Sequence, residues 1–212
     1  FSVPDSLPAT EAAVMHCTFG TAYRNLVTVG RLVAGEKVLI TGANGGVGTA
    51  AVQIAARLGA EVVAVVRREG YEEYLTNLGA HHVVVSPDGA FHKLSNTTGA
   101  DLVLDCVGAA TFNGSLRCLG LGGRLALVGN IDVARVQMNL GYVIVHALRI
   151  FSGGGATPTD MAQIFSLHAQ DPLQVSIDRT LDLAQADCAQ RAVRSGGLCG
   201  RIVLVPSAKE AI

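Results

Sequence analysis

The chain has 212 residues, half of them hydrophobic and 16% charged, with 16 basic and 17 acidic side chains giving a net charge of −1. That length buries a sizeable core in one or two domains, and the apolar weight fits a sheet covered on both faces better than a half-wet antiparallel one. With no long run of either sign a nucleic-acid groove or a polybasic membrane anchor is excluded, and the longest apolar run, broken by His146 and Arg149, falls short of the ~18 residues of a membrane span.

In chain order, residues 1–8 read as extended, and an opening at Phe1 without methionine points to a piece cut from something longer. Thr10 is an N-cap candidate for a helix from near Glu11 whose Ala12, Ala13, Val14 and Met15 form an apolar surface, and Thr18 to Val29 reads as helical again. Strands are expected at 37–41, 61–66, 82–85, 102–106, 124–128 and 148–151, as short valine-rich apolar runs. Helices are expected between them at 47–58, 71–78, 91–97 and 111–119, then at 160–168 with Thr159 or Asp160 near its start. Strands alternating with helices give right-handed crossovers and an α/β, doubly wound parallel sheet with helices on both faces. Past Pro172 the winding changes to strand 175–183, helix 185–193 and strand 200–205. This divides the chain into a helical lead-in (1–34), a nucleotide-binding domain (35–172) and a closing strand-helix-strand (173–212). Glycine supplies 25 residues, well above the roughly 7% norm, so many sharp turns are expected.

The centre of the chain is Lys37-Val38-Leu39-Ile40-Thr41-Gly42-Ala43-Asn44-Gly45-Gly46-Val47-Gly48, followed by Ala50, Ala51, Ile54, Ala55 and Leu58 at helical spacing. A strand, glycine turn and helix in this order bring bare backbone N–H groups to the positive end of a helix dipole, where they hold a pyrophosphate. Gly45 would allow close approach, and Gly48 would let the helix pack on the strand. Ala43 stands where a strict G-x-G-x-x-G has its first glycine. Gly42, Ala43, Gly45, Gly46, Val47 and Gly48 are therefore the expected dinucleotide-binding turn.

Specificity is read at the end of the second strand. NAD-binding folds place an acidic residue there for the ribose 2′-hydroxyl, but the strand here ends Val65-Val66-Arg67-Arg68. A guanidinium on a 2′-phosphate is worth roughly 1.5–3 kcal/mol, which favours NADP(H) over NAD(H). The other reading is a solvated pair with Glu69 neutralising one member. Ligands sit at the carboxyl ends of parallel strands, so Cys106, Val107 and Gly108, then Val128, Gly129 and Asn130, then Phe151, Ser152 and Gly153 are candidates to line the same crevice.

Five cysteines, Cys17, Cys106, Cys118, Cys188 and Cys199, are odd in number and never spaced C-x-x-C. They fit neither a disulfide framework nor a zinc knuckle and suit a reducing cytoplasm.

The chain resembles the medium-chain dehydrogenase/reductase superfamily of zinc alcohol dehydrogenases, quinone oxidoreductases and enoyl or acryloyl-type reductases. The likeness rests on Gly20-Thr21-Ala22-Tyr23, Gly35 to Ile40, Gly42 to Gly48, Ala51-Val52-Gln53, Leu58-Gly59-Ala60, Leu78-Gly79-Ala80, Asp105 to Gly108 and Gly200-Arg201-Ile202-Val203-Leu204. It implies a Rossmann cofactor domain whose relatives carry a catalytic barrel, mostly N-terminal and absent from this chain, to which Val203–Val205 would return. It implies that Thr21 contacts the nicotinamide or phosphate, that Arg201 reaches the cofactor from the last strand, and that pairing through the apolar 141–151 edge gives a homodimer. Cys17 falls where zinc-dependent members place their third catalytic ligand. A zinc with three protein ligands and one open position polarises a substrate oxygen for hydride transfer, and the partner ligands would lie outside this chain. The alternative for Cys17 is a small core residue on an apolar helix.

These readings converge on the cofactor-binding part of an NADP(H)-dependent oxidoreductase passing hydride to a carbonyl or an activated carbon–carbon double bond, this piece alone being inactive. Thr41-Gly42-x-x-x-Gly46-x-Gly48 also fits a short-chain dehydrogenase, whose catalytic tyrosine has a lysine four residues on. Tyr23, Tyr71, Tyr74 and Tyr142 are instead followed by Val27, Leu75, Leu78 and His146. A methyltransferase would want a carboxylate ending the second strand, and none is there. A non-enzymatic NADPH-sensing module is the other alternative.

Overall fold

A computed structural model describes residues 2–132 and 134–206. Six parallel strands, β1 (Lys37–Thr41), β2 (Glu61–Val66), β3 (His82–Val85), β4 (Ala100–Asp105), β5 (Leu119–Leu127) and β6 (Arg149–Phe151), form one sheet in the order β3-β2-β1-β4-β5-β6. Chain order reverses between β1 and β4, so the carboxyl ends of these neighbours open a crevice.

Successive β1 residues alternate between two cores. Val38 and Ile40 pack with Met15, Phe19, Ile54 and Met161 on one face, whereas Leu39 packs with Phe91, Phe112 and Leu116 on the other. The first face is covered by α3 (Gly46–Arg57), α4 (Glu72–Asn77) and α7 (Pro158–Gln170), together with one long N-terminal helix. That helix runs unbroken from Ala9 to Thr28 as α1 (Ala9–Met15), a π-helical His16–Gly20, α2 (Thr21–Tyr23) and a π-helical Arg24–Thr28. The second face carries α5 (Phe112–Cys118) and α6 (Leu140–Val145). The closing segment is β7 (Ile177–Asp182), α8 (Ala186–Ser195) and β8 (Arg201–Val205); β7 and β8 pair in parallel as a separate ribbon, and Gly200 bridges to Gly45. That bridge brings the start of β8 to the glycine turn.

Several boundaries differ from the sequence reading. The first helix starts at Ala9 behind Pro8, whose carbonyl takes the N–H of Glu11 and Ala12, so Thr10 is not its cap. Of its apolar run Met15 is buried and Ala13 is exposed. The helix expected at 91–97 is two 3₁₀ turns, because the Thr97 hydroxyl donates to the carbonyls of Phe91 (2.6 Å) and Leu94 (2.7 Å) and competes with helical pairing. Strand β5 begins five residues early, at Leu119. Helix α6 lies in a stretch read only as apolar, started by Asn139, whose Oδ1 accepts the Tyr142 N–H. Helix α7 begins at Pro158 under a reciprocal cap between Thr157 and Asp160, two residues ahead of the expected start.

Candidate functional site

The turn after β1 places Gly45 as the N-cap of α3, with no capping side chain and no acidic residue in the first turn. A 12-residue helix thus points uncapped amides into the crevice, an arrangement that favours an anion. Gly48 is required by packing: a Cβ there would sit 2.6 Å from the Ala43 Cα and would strike the Gly42 carbonyl. Ala43, at the position of the missing first glycine, turns its methyl into the core. Its small side chain fills space that a glycine would leave.

Over the same helix end lies Arg201. A Cβ on Gly46 would meet the Arg201 Cγ at 2.8 Å, and the Arg201 Nε is buried without a hydrogen-bond partner. A buried guanidinium nitrogen left unpaired costs free energy unless something accepts from it, and it faces the amides that also want an anion. Arg201 Nη2 donates towards the Cys17 Sγ at 3.7 Å. Cys106 lies close enough for the same cation to favour its thiolate, yet burial, reinforced by Asp105, pushes its pKa up to about 12. Cys106 is therefore an inert wall.

The β4 end is built around Asp105, fully buried and passed over in the sequence reading except as part of the resemblance. Its carboxylate accepts from Thr41 Oγ1 (3.0 Å), the Val107 and Gly108 amides (3.0 and 2.9 Å), Thr111 Oγ1 (2.7 Å) and Ser115 Oγ (2.7 Å). Thr41 in turn accepts the Cys106 N–H at 3.1 Å. This network ties the ends of β1 and β4 at the point where strand order reverses and shapes the turn Cys106-Val107-Gly108. A strand-terminal carboxylate followed by hydroxyls at 111 and 115 was a usable signal for it. The turn packs on the β5 end: a Cβ on Gly108 would lie 2.9 Å from the Asn130 Cα, and one on Gly129 would strike the Cys106 carbonyl. Gly108, Val128, Gly129 and Asn130 line a cleft of about 350 Å³.

Thr21 and the Ser152-Gly153 turn meet at the far end, where one amide, Asn25 Nδ2, donates to both the Thr21 carbonyl (2.9 Å) and the Gly154 carbonyl (3.4 Å). Arg67 and Arg68 stand apart from the glycine turn. They are exposed beside the Gly196-Gly197 loop, with Arg68 Nη1 3.3 Å from where a Gly197 Cβ would be. Among the described residues neither forms an ion pair, with Glu69 or any other carboxylate. Cys17 is exposed, which sets aside the core reading. Among the described residues no cluster of three His, Cys, Asp or Glu side chains could hold a metal.

Residues 46–170 match the family described as zinc-binding dehydrogenase. The chain belongs to that family. It is therefore a member of the medium-chain dehydrogenase/reductase superfamily, as the motifs implied. An acryloyl-coenzyme A reductase of Sulfurisphaera tokodaii is 32% identical over 206 residues, 96% of this chain and 61% of that protein. The crystal structure of AibC superposes with a TM-score of 0.89 at 39% identity, covering 97% of this chain and 58% of that one. A mycobacterial protein solved complexed with NADPH superposes with a TM-score of 0.88 at 25% identity, covering 97% and 67%. The chain thus spans about three fifths of the length of the first two of these relatives. No helix among the described residues is long and apolar enough to cross a membrane.

Proposed function

We propose that this chain binds NADP(H) and presents it for hydride transfer to an activated carbon–carbon double bond or a carbonyl. The observation that carries the reading is the Arg201 guanidinium, with its unpartnered buried Nε, laid over the uncapped start of α3 at Gly46. Gly45, Gly46, Val47 and Gly48 would hold the pyrophosphate through backbone N–H groups, with Arg201 as counter-charge; Gly42 and Ala43 shape the turn. Cys106 to Gly108 and Val128 to Asn130 wall the crevice, and Thr21, Ser152 and Gly153 form its nicotinamide end. Arg67 and Arg68, exposed and free of ion pairs among the described residues, would take the 2′-phosphate. NADPH, when bound, supplies the hydride, and the protein's part is to hold it and exclude water from one face.

The Sulfurisphaera tokodaii relative's name, acryloyl-coenzyme A reductase, supports a thioester-activated enoyl substrate ahead of a simple ketone or quinone. Residues 1–34 and 173–212 would join the 35–172 nucleotide domain to the catalytic barrel that relatives carry. The outer edge of β6 with exposed Ile144 and Val145 on α6 would pair with a second copy. Cys17 would bind zinc only with ligands from outside this chain.

Titration calorimetry on the 212-residue chain tests the reading. NADPH should bind more tightly than NADH by about ten- to hundredfold, and the gap should close when Arg67 and Arg68 become alanine. Equal affinities in the unaltered chain would remove the specificity argument. Absence of binding by either dinucleotide would remove the function.

A further inference from the structure

The loop after β6 carries the residues assigned to the nicotinamide end, yet it is held by a helix some 130 positions earlier in the chain. Asn25 is almost fully buried and uses both ends of its carboxamide on this contact. Its Oδ1 accepts the Gly153 N–H at 2.7 Å, while its Nδ2 donates to the Thr21 carbonyl at 2.9 Å and the Gly154 carbonyl at 3.4 Å. The side chain thereby imitates a paired strand, reading an N–H and a C=O on consecutive residues of the loop. The preceding residue reinforces it: Arg24 Nε donates to the Gly153 carbonyl at 2.6 Å, and Arg24 Nη1 pairs with Asp160 at 3.1 Å. Asp160 is itself fixed by the hydroxyls of Thr28 and Thr157.

Two neighbouring residues reach one loop because the helix is π-wound from Arg24 to Thr28, with the Val29 N–H on the Arg24 carbonyl five residues back. Consecutive side chains diverge less around that wider turn than in an α-helix, and such widened turns recur at functional sites. A hydrogen-bonded turn of loop geometry alone would not need them. The fit on the loop side is close: a Cβ on Gly153 would lie 3.1 Å from the Asn25 Oδ1 and 3.2 Å from the Arg24 Cγ.

We propose that Asn25 is a positioning residue, setting the backbone of residues 153–154 against Thr21 so that the nicotinamide end of the crevice is built before the cofactor arrives. The proposal rests on the NADP(H) reading and makes a claim that reading does not. Asn25 should govern only the nicotinamide half of the cofactor, since its side-chain hydrogen bonds are with Thr21, Gly153 and Gly154 and, among the described residues, none is with the glycine turn. Losing it would leave the Gly153 N–H and the Gly154 carbonyl to be satisfied by water, while the Thr21 carbonyl keeps the Arg24 N–H. Ser152 and Gly154 are already exposed, so the loop would shift without unfolding the sheet.

The test compares two probes on the intact chain: NADPH, and 2′,5′-ADP, which carries the adenine, ribose and 2′-phosphate without the nicotinamide. Asn25→Leu should weaken NADPH about tenfold and leave 2′,5′-ADP within twofold of the unaltered protein. Gly153→Ala, which crowds the same contact from the other side, should do the same. Fluorescence of bound NADPH should shift with both variants. Equal losses for the two probes would show that Asn25 merely holds the fold together and would overturn the proposal. So would unchanged NADPH affinity in both variants. If the unaltered chain binds 2′,5′-ADP and NADPH equally well, the nicotinamide has no site here and the proposal fails. If it binds neither, the NADP(H) reading itself has failed.

Discussion

Replacing Asp105 by alanine removes a carboxylate that accepts from five donors, and the cost follows from which of them have or can find another acceptor. Thr41, Thr111 and Ser115 are hydroxyls that rotate, and Thr111 keeps a second acceptor in the Gly108 carbonyl at 3.2 Å. The amides of Val107 and Gly108 cannot turn, because the backbone fixes their direction. At about 1–3 kcal/mol for each buried donor left unpaired, two fixed amides and a small cavity cost about 3–5 kcal/mol. In a chain of this size each kcal/mol moves Tm by about 2–4 °C, so Asp105→Ala should melt roughly 6–20 °C below the parent in a thermal scan. Asp105→Asn separates geometry from charge. Its remaining oxygen can serve Thr41 and the two amides on the Oδ1 side, and its NH₂ can donate to Thr111 and Ser115, whose hydroxyls accept as readily as they donate. That variant should lose only about 1 kcal/mol. A melting point for Asp105→Ala within about 2 °C of the parent would refute the network as the organiser of the β4 turn. If Asp105→Asn proved as damaging as Asp105→Ala, the negative charge and not the pattern of acceptors would be responsible.

Three further outcomes are expected. Arg201→Gln should weaken NADPH and NADH by the same factor of about ten, since it acts on the shared pyrophosphate; calorimetry on both cofactors distinguishes this from the selective loss caused by altering Arg67 and Arg68. Burial alone would raise the Asp160 pKa, but hydrogen bonds from Thr28, Thr157 and Arg24 outweigh it and hold the group at about 2 against an ordinary 3.8. A depressed carboxylate stabilises the fold above its unfolded pKa and loses that contribution as pH falls through the folded one. Asp160→Asn should therefore melt below the parent at neutral pH, with the gap closing between about pH 4 and pH 2; a gap independent of pH would contradict this. Alkylation with iodoacetamide should label exposed Cys17 and Cys188 first and spare Cys106 and Cys118, whose thiols burial pushes up to about 12 and about 11. NADPH should slow labelling of Cys17, which touches Arg201, and leave Cys188 unaffected, as mass spectrometry of the modified peptides would show.

Much of this molecule is legible in its sequence because its signals are local. The short apolar runs of β1, β2 and β4 are read directly from the sequence, because their side chains are buried on both faces of the sheet. The glycine turn is likewise a local statement, since Gly48 must lack a Cβ beside Gly42 and Ala43, only a few residues away. Local readings fail where side chains compete with the backbone. Thr97 breaks a helix by capturing two carbonyls, and Asn139 starts one inside an apolar stretch.

The candidate site divides in the same way. The chain order of residues, with two arginines and no carboxylate directly at the end of β2, already points to a phosphate-binding turn and a basic 2′ end, because each feature needs only neighbours within one βαβ unit. Tertiary structure alone brings Arg201 over Gly46 across 155 positions, gathers Thr41, Thr111 and Ser115 on Asp105, and sets Asn25 on Gly153. The Arg201–Gly46 and Asn25–Gly153 contacts join groups that share no periodicity and no spacing. Their energy is realised only after the sheet has closed and removed them from water, so nothing in the linear pattern marks these two in advance.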